Sequence, residues 1–515
     1  MRSTFHGLEV SKRGLFAQQS ALNTTGHNIA NANTEGYTRQ RVNMQATTGL
    51  PYVGMNANVE PGILGTGVEV VSMQRLREDY LDQQYRNENK HNGYWEARLD
   101  GLSKIETIMN EPSDTGLQTV MDQLWQSWQD LAKEPESLSA RAVVRQRAIA
   151  LTETFSALST SLTELQTDLD NVVSTKVLDI NSMAKQLANL NKQISDLVPH
   201  GYQPNDLYDQ RDLLLDKLSK LVEVKVTNGA NGMVNVTVEG QALVTGREAV
   251  EMQAVKNPIT GLNDITLGGA PFVPTSGGLL GSMEARGMNT VDASGNTIVQ
   301  GVIPQMMGRL NTLAINIVTE VNDLHRNGLN LFDIANQKSN SGAPAQDIPF
   351  FVDSDELAKD PNTKAYPKDF SKIAVNPAIL GSLNAIAAAK PDASGTSSEG
   401  DNTNALDIAA IKYKLLNLTI GSSGLPETTT LDDFYRYTIA QLGVDSQEAQ
   451  RMEQNSEILV GQVDTQRQSV SGVSLDEEMA EMVKYQHAFS ASARVMTSMD
   501  EVLDKIINGM GRVGL

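Results

Sequence analysis

The chain has 515 residues, of which 42 are basic and 62 are acidic, so its formal net charge is −20. Proteins that bind nucleic acid or anionic lipid cluster Lys and Arg against phosphate. The excess of acidic residues argues against both partners, so we predict no nucleic-acid binding and no membrane insertion. The chain contains no Cys, which excludes disulfides, thiolate catalysis and Cys-ligated zinc.

The N-terminal segment lacks the features of an apolar export leader. Residues 1–29 carry Arg2, Glu9, Lys12 and Arg13 and contain no long apolar run. No stretch of the sequence approaches the ~18 apolar residues of a membrane-spanning helix. If the chain leaves the cell, we expect it to use a route without a cleaved leader.

Both ends of the chain show an apolar repeat of seven residues, the spacing that keeps one side of a helix against a partner helix. We predict that the terminal helices pair as a coiled coil and form an assembly interface. Isolated helices of this length are marginal in water, and Gly7, Gly14 and Gly26 weaken the first one further. The predicted interface residues are Leu8, Leu15, Leu22 and Ile29 near the N-terminus, and Met482, Phe489, Met496 and Leu503 near the C-terminus.

Between the termini, apolar residues three and four positions apart predict a bundle of long helices. One stripe runs from Leu117 to Leu131 and another from Leu151 to Leu169. Because Pro is absent from Glu136 to Val198, one long rod is permitted there, and its stripe changes phase between Val172 and Val177. Further helices are predicted after Pro204, from Leu310 to Leu324, and from Pro426 to the end.

Two helix starts carry capping signals. Asn205 is predicted to be the N-cap of the helix after Pro204, since its side chain can accept a backbone N–H bond. Ser474 followed by Glu477 is typical of a capping box at the start of the C-terminal helix.

From Val224 the apolar period changes to two, which indicates strands. Val224 and Val226 are predicted to pair with residues 234–238 across an Asn- and Gly-rich turn, as a β-hairpin. Short strand-like runs continue to about Gly301. Residues 329–404 are rich in Pro and show no clear period, which predicts an irregular segment.

The predicted fold class is therefore α+β with several domains, in which paired terminal helices and a body of long helices carry β-rich outer insertions. The predicted domains are residues 1–45 with 472–515 for the terminal coiled coil, 46–222 with 302–328 and 405–471 for the helical body, 223–301 for the β-rich insertion, and 329–404 for an irregular second insertion.

No pattern in the sequence predicts catalysis. The six His residues lack metal-ligand spacing, and neither a P-loop nor a G-x-S-x-G elbow occurs. We therefore predict no catalytic residue, no cofactor and no metal. The sharpest polar feature is Asp209, Arg211 and Asp212, where Arg211 falls on an apolar stripe. A buried Arg usually needs a carboxylate, so we predict a structural ion pair, with a ligand site as the alternative.

Residues 21–40 resemble the N-terminal signature of the flagellar axial proteins, the family of rod, hook and hook-associated proteins. The continuation through Thr38, Arg39 and Gln40 resembles the hook-associated branch, and residues 205–219, 400–406 and 471–504 are similar to later segments of that branch. Gly26 departs from the small Ala usual at its position. The matching signature residues are Asn28, Ile29, Ala30, Asn31, Asn33, Thr34, Gly36, Tyr37, Arg39 and Gln40.

This resemblance implies a structural adaptor between hook and filament that is exported by the flagellar type III apparatus, lies outside the cell and is required for filament assembly. The implied partners are the hook protein, a second hook-associated protein, further copies of this chain in a ring or helical array, and an export chaperone on the C-terminal helix. The alternative is a hook or distal rod protein of the same family. A wall hydrolase is a third possibility, but no paired carboxylates support it.

Overall fold

The computed structural model describes residues 5–49, 65–291, 295–339, 345–419 and 426–509. Within these ranges helices predominate, as the α+β class predicts. The helices are α1 His6–Ala30, α2 Asp79–Met109, α3 Leu117–Lys133, α4 Leu138–Leu197, α5 Asn205–Leu221, α6 Gly277–Arg286, α7 Val302–Asn327, α8 Leu331–Ser339, α9 Ser354–Lys359, α10 Pro377–Gly381, α11 Thr403–Ala410, α12 Leu431–Ser471 and α13 Leu475–Asp504.

The strands are short and pair antiparallel in several small sheets. They are β1 Gln40–Ala46, β2 Val68–Arg75, β3 Val224–Asn228, β4 Val234–Val238, β5 Gln241–Thr245, β6 Glu248–Ala249, β7 Met252–Lys256, β8 Asn263–Leu267, β9 Ala270–Pro271, β10 Met288–Val291, β11 Thr297–Gln300, β12 Phe351–Asp353, β13 Ile373–Val375, β14 Leu416–Thr419 and β15 Pro426–Thr429.

Helix α4 is the longest element and joins two hydrophobic cores. It runs for 60 residues, in agreement with the missing prolines, and Ser137 caps its start by accepting a hydrogen bond from the Ala140 amide. Its buried apolar side chains belong to the first core up to Leu169 and to the second core from Val173 to Ala188. The change of phase in the sequence therefore marks the point where the helix exchanges one packing partner for another.

The first core lies among α2, α3, the first part of α4, α7, α11 and α12. Trp128 of α3 is fully buried in it, and the ring of Phe350 packs 5.5 Å away, centroid to centroid. Phe351 and Ile386 are buried in the same core. The segment predicted to be a second insertion therefore shares a core with the helical body.

The second core packs α5 and the second part of α4 against two sheets, ordered β3-β4-β5-β6 and β7-β8-β9. The predicted hairpin is confirmed, with Val224 opposite Val238 and Val226 opposite Val236. The inward valines of β4 are at most 3% exposed, and Val224 and Val226 of β3 are half-buried, which explains the period of two in the sequence.

Two Asn side chains of α4 hold these sheets on the rod. The Asn191 amide donates to the Val234 carbonyl at 2.7 Å and accepts from the Val234 N–H at 3.1 Å. Asn181 bonds both backbone groups of Met252 in the same way. Each Asn side chain thus makes the two backbone hydrogen bonds that a neighbouring strand would make, so the N–H and C=O groups of the strand stay paired where it meets the helix.

Several elements differ from the sequence-based expectation. Helix α2 was not predicted, because its buried residues are polar or small as far as Gly101; they are Asp82, Asn89, Asn92, Gly93 and Gly101. Helix α6 lies inside the predicted β-rich insertion, and the predicted irregular segment contains α8, α9 and α10 with a two-stranded sheet. The predicted domain boundaries stay predictions, and the β1–β2 hairpin crosses the one proposed between residues 45 and 46.

The two predicted caps differ from the structure in detail. Pro204 holds the cap position of α5, and the Asn205 side chain donates instead to Gln40 Oε1 at 3.1 Å, so the predicted Asn205 cap is wrong. Ser474 does precede α13, but its side chain makes no capping bond. The predicted start of the C-terminal helix is therefore confirmed, but the predicted capping hydrogen bond of Ser474 is wrong.

Candidate assembly interface

Helices α1 and α13 lie side by side and run antiparallel. Each step of seven residues along α1 is matched by a step of seven back along α13, so the two heptad repeats keep one register. The contacts that fix this register pair Gly7 with Met499, Gly14 with Ser492, and Asn28 with Glu478. The packing of the terminal helices is thus observed, while their supercoiling stays a prediction.

Small side chains on α1 let α13 approach closely. A Cβ atom at Gly7 would lie 2.9 Å from Met499 Cε, and one at Gly14 would lie 3.1 Å from Ser492 Oγ. The buried residues of this helix are small or polar: Ser11, Ala17, Ala21, Thr24, Thr25 and Asn28. The small residues that recur every seven positions at 7, 14 and 21 are the signal that the sequence reasoning missed.

The predicted interface residues border this small-residue seam. Leu8, Leu15, Leu22 and Ile29 each follow a seam position by one residue and are half-buried. On α13, Leu503 is buried, and Met482, Phe489 and Met496 are half-buried. Apolar surface of both repeats therefore remains open to solvent after the two helices have paired.

Helix α13 also carries apolar residues that remain exposed beside α1. Leu475, Met479 and Val483 of its first part are about half exposed, at 49%, 53% and 51%. Val495 and Val502 expose similar fractions in its second part. Single exposed apolar residues are common, but a series along one helix marks a surface suited to a partner.

The signature segment, residues 28–40, begins with the buried side-chain amide of Asn28 near the end of α1. Its Nδ2 donates to the Gln40 carbonyl at 2.9 Å and to Glu478 Oε2 at 3.0 Å. Its Oδ1 accepts from the Gln40 N–H at 3.0 Å and from the Tyr37 hydroxyl at 2.8 Å. Burial, together with the charge of Asp206, raises the pKa of Tyr37, so the phenol stays protonated and keeps donating.

Arg39 connects the same segment to the start of α13. Its Nε donates to Glu478 Oε1 at 2.7 Å, and one terminal nitrogen donates to Glu477 Oε2 at 2.6 Å. The Arg39 backbone N–H donates to the Ser471 carbonyl at 2.9 Å. Glu478 is 2% exposed, so both of its oxygens are satisfied inside the protein.

The turn between Asn28 and Arg39 is shaped by small and polar signature residues. The Asn31 side chain donates to the His27 carbonyl and accepts from the Thr34 hydroxyl, which closes the end of α1. Gly36 has φ +79°, and a Cβ atom there would lie 3.1 Å from Leu213 Cβ. Ala30, Asn33 and Thr34 are exposed and remain available to a partner.

The predicted ion pair belongs to a larger arginine–aspartate cluster between β2, α2, α5 and α12. Arg75 donates to Asp209 and Asp212, each at 2.8 Å. Arg211 contacts Asp212 only at 3.8 Å and donates instead to the Gly232 carbonyl at 2.8 Å. The cluster contains Asp82, Asp209, Asp212, Asp216, Arg75, Arg77, Arg86, Arg211 and Arg467.

The charges of the cluster set the ionisation of its members. Burial opposes the ionised form of Asp212, but Arg77 and Arg75 outweigh it and hold the pKa of that carboxyl below its ordinary value. Burial raises the pKa of Asp209 in spite of its bonds to Arg75 and to the Thr38 N–H. The arrangement has the features of a structural network.

The described residues form neither a metal site nor a membrane span. In the part of the chain that the structure describes, no three His, Cys, Asp or Glu side chains converge to hold a metal ion. Among the same residues, no helix is long and apolar enough to cross a membrane.

Comparison with known proteins decides the family. Three family models match: "Flagellar hook-associated protein FlgK helical domain" over residues 102–339, "Flagellar basal body rod FlgEFG protein C-terminal" over 465–509, and "Flagella basal body rod protein" over 8–38. The chain is 39% identical to flagellar hook-associated protein 1 of Bacillus subtilis (strain 168), covering 99% of both chains. It belongs to the FlgK family of flagellar hook-associated proteins.

More distant members of the FlgK family agree. Flagellar hook-associated protein 1 of Escherichia coli (strain K12) is 26% identical, with 96% of this chain and 98% of the relative covered. The solved flagellar hook junction protein FlgK from Burkholderia pseudomallei superposes with a TM-score of 0.56 at 16% identity, covering 76% of this chain and 100% of that one, so the two share a fold. The two rod-protein models fall on α1 with the signature turn and on α13 with the end of α12, the elements that pair in this structure.

Two glycine substitutions in α1 are expected to act in opposite directions. Gly14→Leu should separate α1 from α13, because a Cβ atom already comes within 3.1 Å of Ser492 and a larger side chain has no room. Gly26→Ala should stabilise α1 by about 1 kcal/mol, since helix propensity improves and nothing lies within 4 Å of its Cβ position. Hydrogen exchange of residues 475–504 measures both effects, and equal protection in the two variants would contradict the close approach at Gly14.

Proposed function

We propose that this chain is a structural subunit of the bacterial flagellum at the junction of hook and filament. The observation that carries the proposal is the 39% identity over 99% of the chain to a flagellar hook-associated protein 1. Its relatives are structural hook-associated proteins, so the chain is a building block and not an enzyme.

The α1–α13 pair is the proposed axial interface, and its partners include further copies of this chain. The half-buried stripe of Leu8, Leu15, Leu22 and Ile29 supports this role, because a second helix pair can cover what α13 leaves open. In such an array the pairs would form the inner layer as a coiled coil. The helical body and the sheets would then lie further from the axis.

The remaining partners follow from the position in the flagellum. The hook protein would adjoin one side of the array, and a second hook-associated protein would adjoin the other. The subunit would reach that place outside the cell through the flagellar type III apparatus. Before export, a chaperone would cover the apolar side of α13 at Leu475, Met479 and Val483, which are about half exposed when α13 is paired with α1.

Deletion of the gene tests the proposal directly. The deletion strain should carry complete hooks without filaments and should release flagellin into the medium, because the filament has nothing to start from. Electron microscopy of the cell surface and assay of the medium measure both results, and expression of the intact chain from a plasmid should restore filaments.

Two other outcomes would assign a different role. Cells without complete hooks would point to the hook or distal rod protein, and normal filaments would remove the chain from the assembly pathway altogether.

A further inference from the structure

The signature segment makes strong contacts in two directions. Toward α13, Arg39 bonds Glu477 and Glu478, and Asn28 bonds Glu478 as well. Toward the body, the Thr38 N–H donates to Asp209 Oδ2 at 3.0 Å. The same short stretch therefore contacts both the terminal helix pair and helix α5.

Further contacts strengthen the link to the body. Gln40 donates from Nε2 to Asp206 Oδ1 at 2.9 Å and accepts from Asn205 Nδ2 at 3.1 Å. The Thr38 hydroxyl accepts from Arg77 at 3.1 Å, which joins the segment to the arginine–aspartate cluster. Thr38, Gln40 and Asn205 are buried, so the bonds of Thr38 and the bond between Gln40 and Asn205 are shielded from water.

The covalent connection between the body and α13 is short. Helix α12 ends at Ser471 and α13 begins at Leu475, which leaves three residues between them. Gly472 and Ser474 are extended, with ψ of 153° and 112°. A Cβ atom at Gly472 would lie 2.4 Å from the Gln468 carbonyl oxygen, so this position demands glycine for its close turn. Without side contacts such a joint would act as a hinge.

An open cleft lies beside this joint. Its volume is about 930 Å³, and its walls are the signature turn, α5, α12 and residues 472–474. Glu35 and Lys217, which both line the cleft, form a pair at 3.5 Å, and both side chains are more than half exposed. The cleft leaves room for the terminal pair to tilt against the body, and an exposed pair opposes such a tilt only weakly.

We propose that the signature segment is a latch that fixes the angle between the α1–α13 pair and the helical body. Its closing bond is the contact of Arg39 with Glu477 and Glu478. Glu478 is 2% exposed and Asn28 is 1% exposed, so loss of Arg39 leaves a buried carboxylate without its cation. Glu478 would then turn out toward water, and the joint at residues 472–474 would become free to move. This role does not depend on the place of the chain in the flagellum.

A distance measurement across the joint tests the latch in the full-length chain. Because the chain contains no Cys, Ser490→Cys on α13 and Lys192→Cys on α4 provide two labelling sites at exposed positions. With spin labels on these two cysteines, pulsed electron–electron double resonance should give one narrow distance distribution for the otherwise unchanged chain and a broad one for Arg39→Ala. Amide exchange over residues 475–482 should rise at least about tenfold in Arg39→Ala, while exchange in α4 stays unchanged.

Three variants separate a latch from a general loss of folding. Glu478→Gln should broaden the distribution as Arg39→Ala does. Arg39→Lys should restore part of the narrow component, because Lys keeps the positive charge but lacks the planar guanidinium that bonds both glutamates. Arg41→Ala changes an exposed side chain on β1, two residues after Arg39, and should leave the distribution narrow. The proposal is overturned if the unchanged chain is already broad, if Arg39→Ala stays narrow, or if Arg39→Ala lowers the melting temperature of the helical body.

Discussion

Replacing Asp212 with Asn is expected to lower the free energy of unfolding by about 3–5 kcal/mol, the usual loss when one partner of a buried ion pair is removed. Asp212 is 7% exposed. Its carboxylate lies 2.8 Å from Arg75, 3.6 Å from Arg77 and 3.8 Å from Arg211. The substitution therefore removes the negative charge on which these three arginines converge. Urea unfolding followed by circular dichroism measures the change.

The sign of the pH dependence follows from the same contacts. The folded-state pKa of Asp212 lies below its unfolded value, so ionised Asp212 stabilises the fold at neutral pH. That contribution is lost as the pH falls through the folded pKa. Asp212→Asn should therefore lose less stability on acidification than the unchanged chain does.

Two controls define how specific this effect is. Asp130→Asn removes an exposed carboxylate whose partner Lys133 is 71% exposed, and surface pairs of this kind contribute about 1 kcal/mol or less. Arg211→Ala should cost less than Asp212→Asn, because Asp212 keeps Arg75 and Arg77 as partners. An Asp212→Asn variant as stable as Asp130→Asn would show that the cluster is solvated.

The sequence predicted the long helices well, because their apolar residues recur at helical spacing. Helix α4 is an example, in which the phase change predicted between Val172 and Val177 lies close to the exchange of cores between Leu169 and Val173. Helix α2 was not predicted, because much of it packs through glycine backbone and polar side chains, which a hydrophobic pattern does not detect. A Cβ atom at Gly93 would lie 2.0 Å from the Lys220 carbonyl oxygen, and Asn89 donates to the Asp216 carbonyl and to the Ser219 hydroxyl.

The contact between α1 and α13 was predicted in part for a related reason. The heptad of Leu8, Leu15, Leu22 and Ile29 indicated the correct helix, but residues one position earlier make the close contact with α13. Small residues pack by letting backbones approach, and a search for large apolar side chains does not detect them. In the polar cluster, Arg211 stood out because it interrupts an apolar stripe. Arg75, Arg77 and Arg86 lie far from Asp212 in the sequence, so only the fold brings them to its carboxylate.

Replacing both Leu15 and Leu22 with Asp is expected to abolish filament formation while the helical body keeps its melting temperature. Both leucines are half-buried in the isolated chain, so each Asp can still reach water and the α1–α13 pair loses little. In the proposed array a neighbouring helix pair covers the stripe, and an unpaired carboxylate buried there would cost several kcal/mol in each subunit. Expression of the variant in the deletion strain, with electron microscopy of the cell surface, measures the result.

Asn23→Asp is the control for each added charge, because it places one carboxylate at an exposed position one residue after Leu22, and it should support normal filaments. Secretion of the leucine variant in normal amounts would place the defect at assembly and not at export. Filaments of normal length from the double variant would show that the stripe faces solvent in the flagellum too. A lower melting temperature of the purified variant would instead make the stripe part of the folded monomer. Leu15 and Leu22 border a seam that Gly14 and Ala21 already fill. We therefore expect the double substitution to act only in the assembled state.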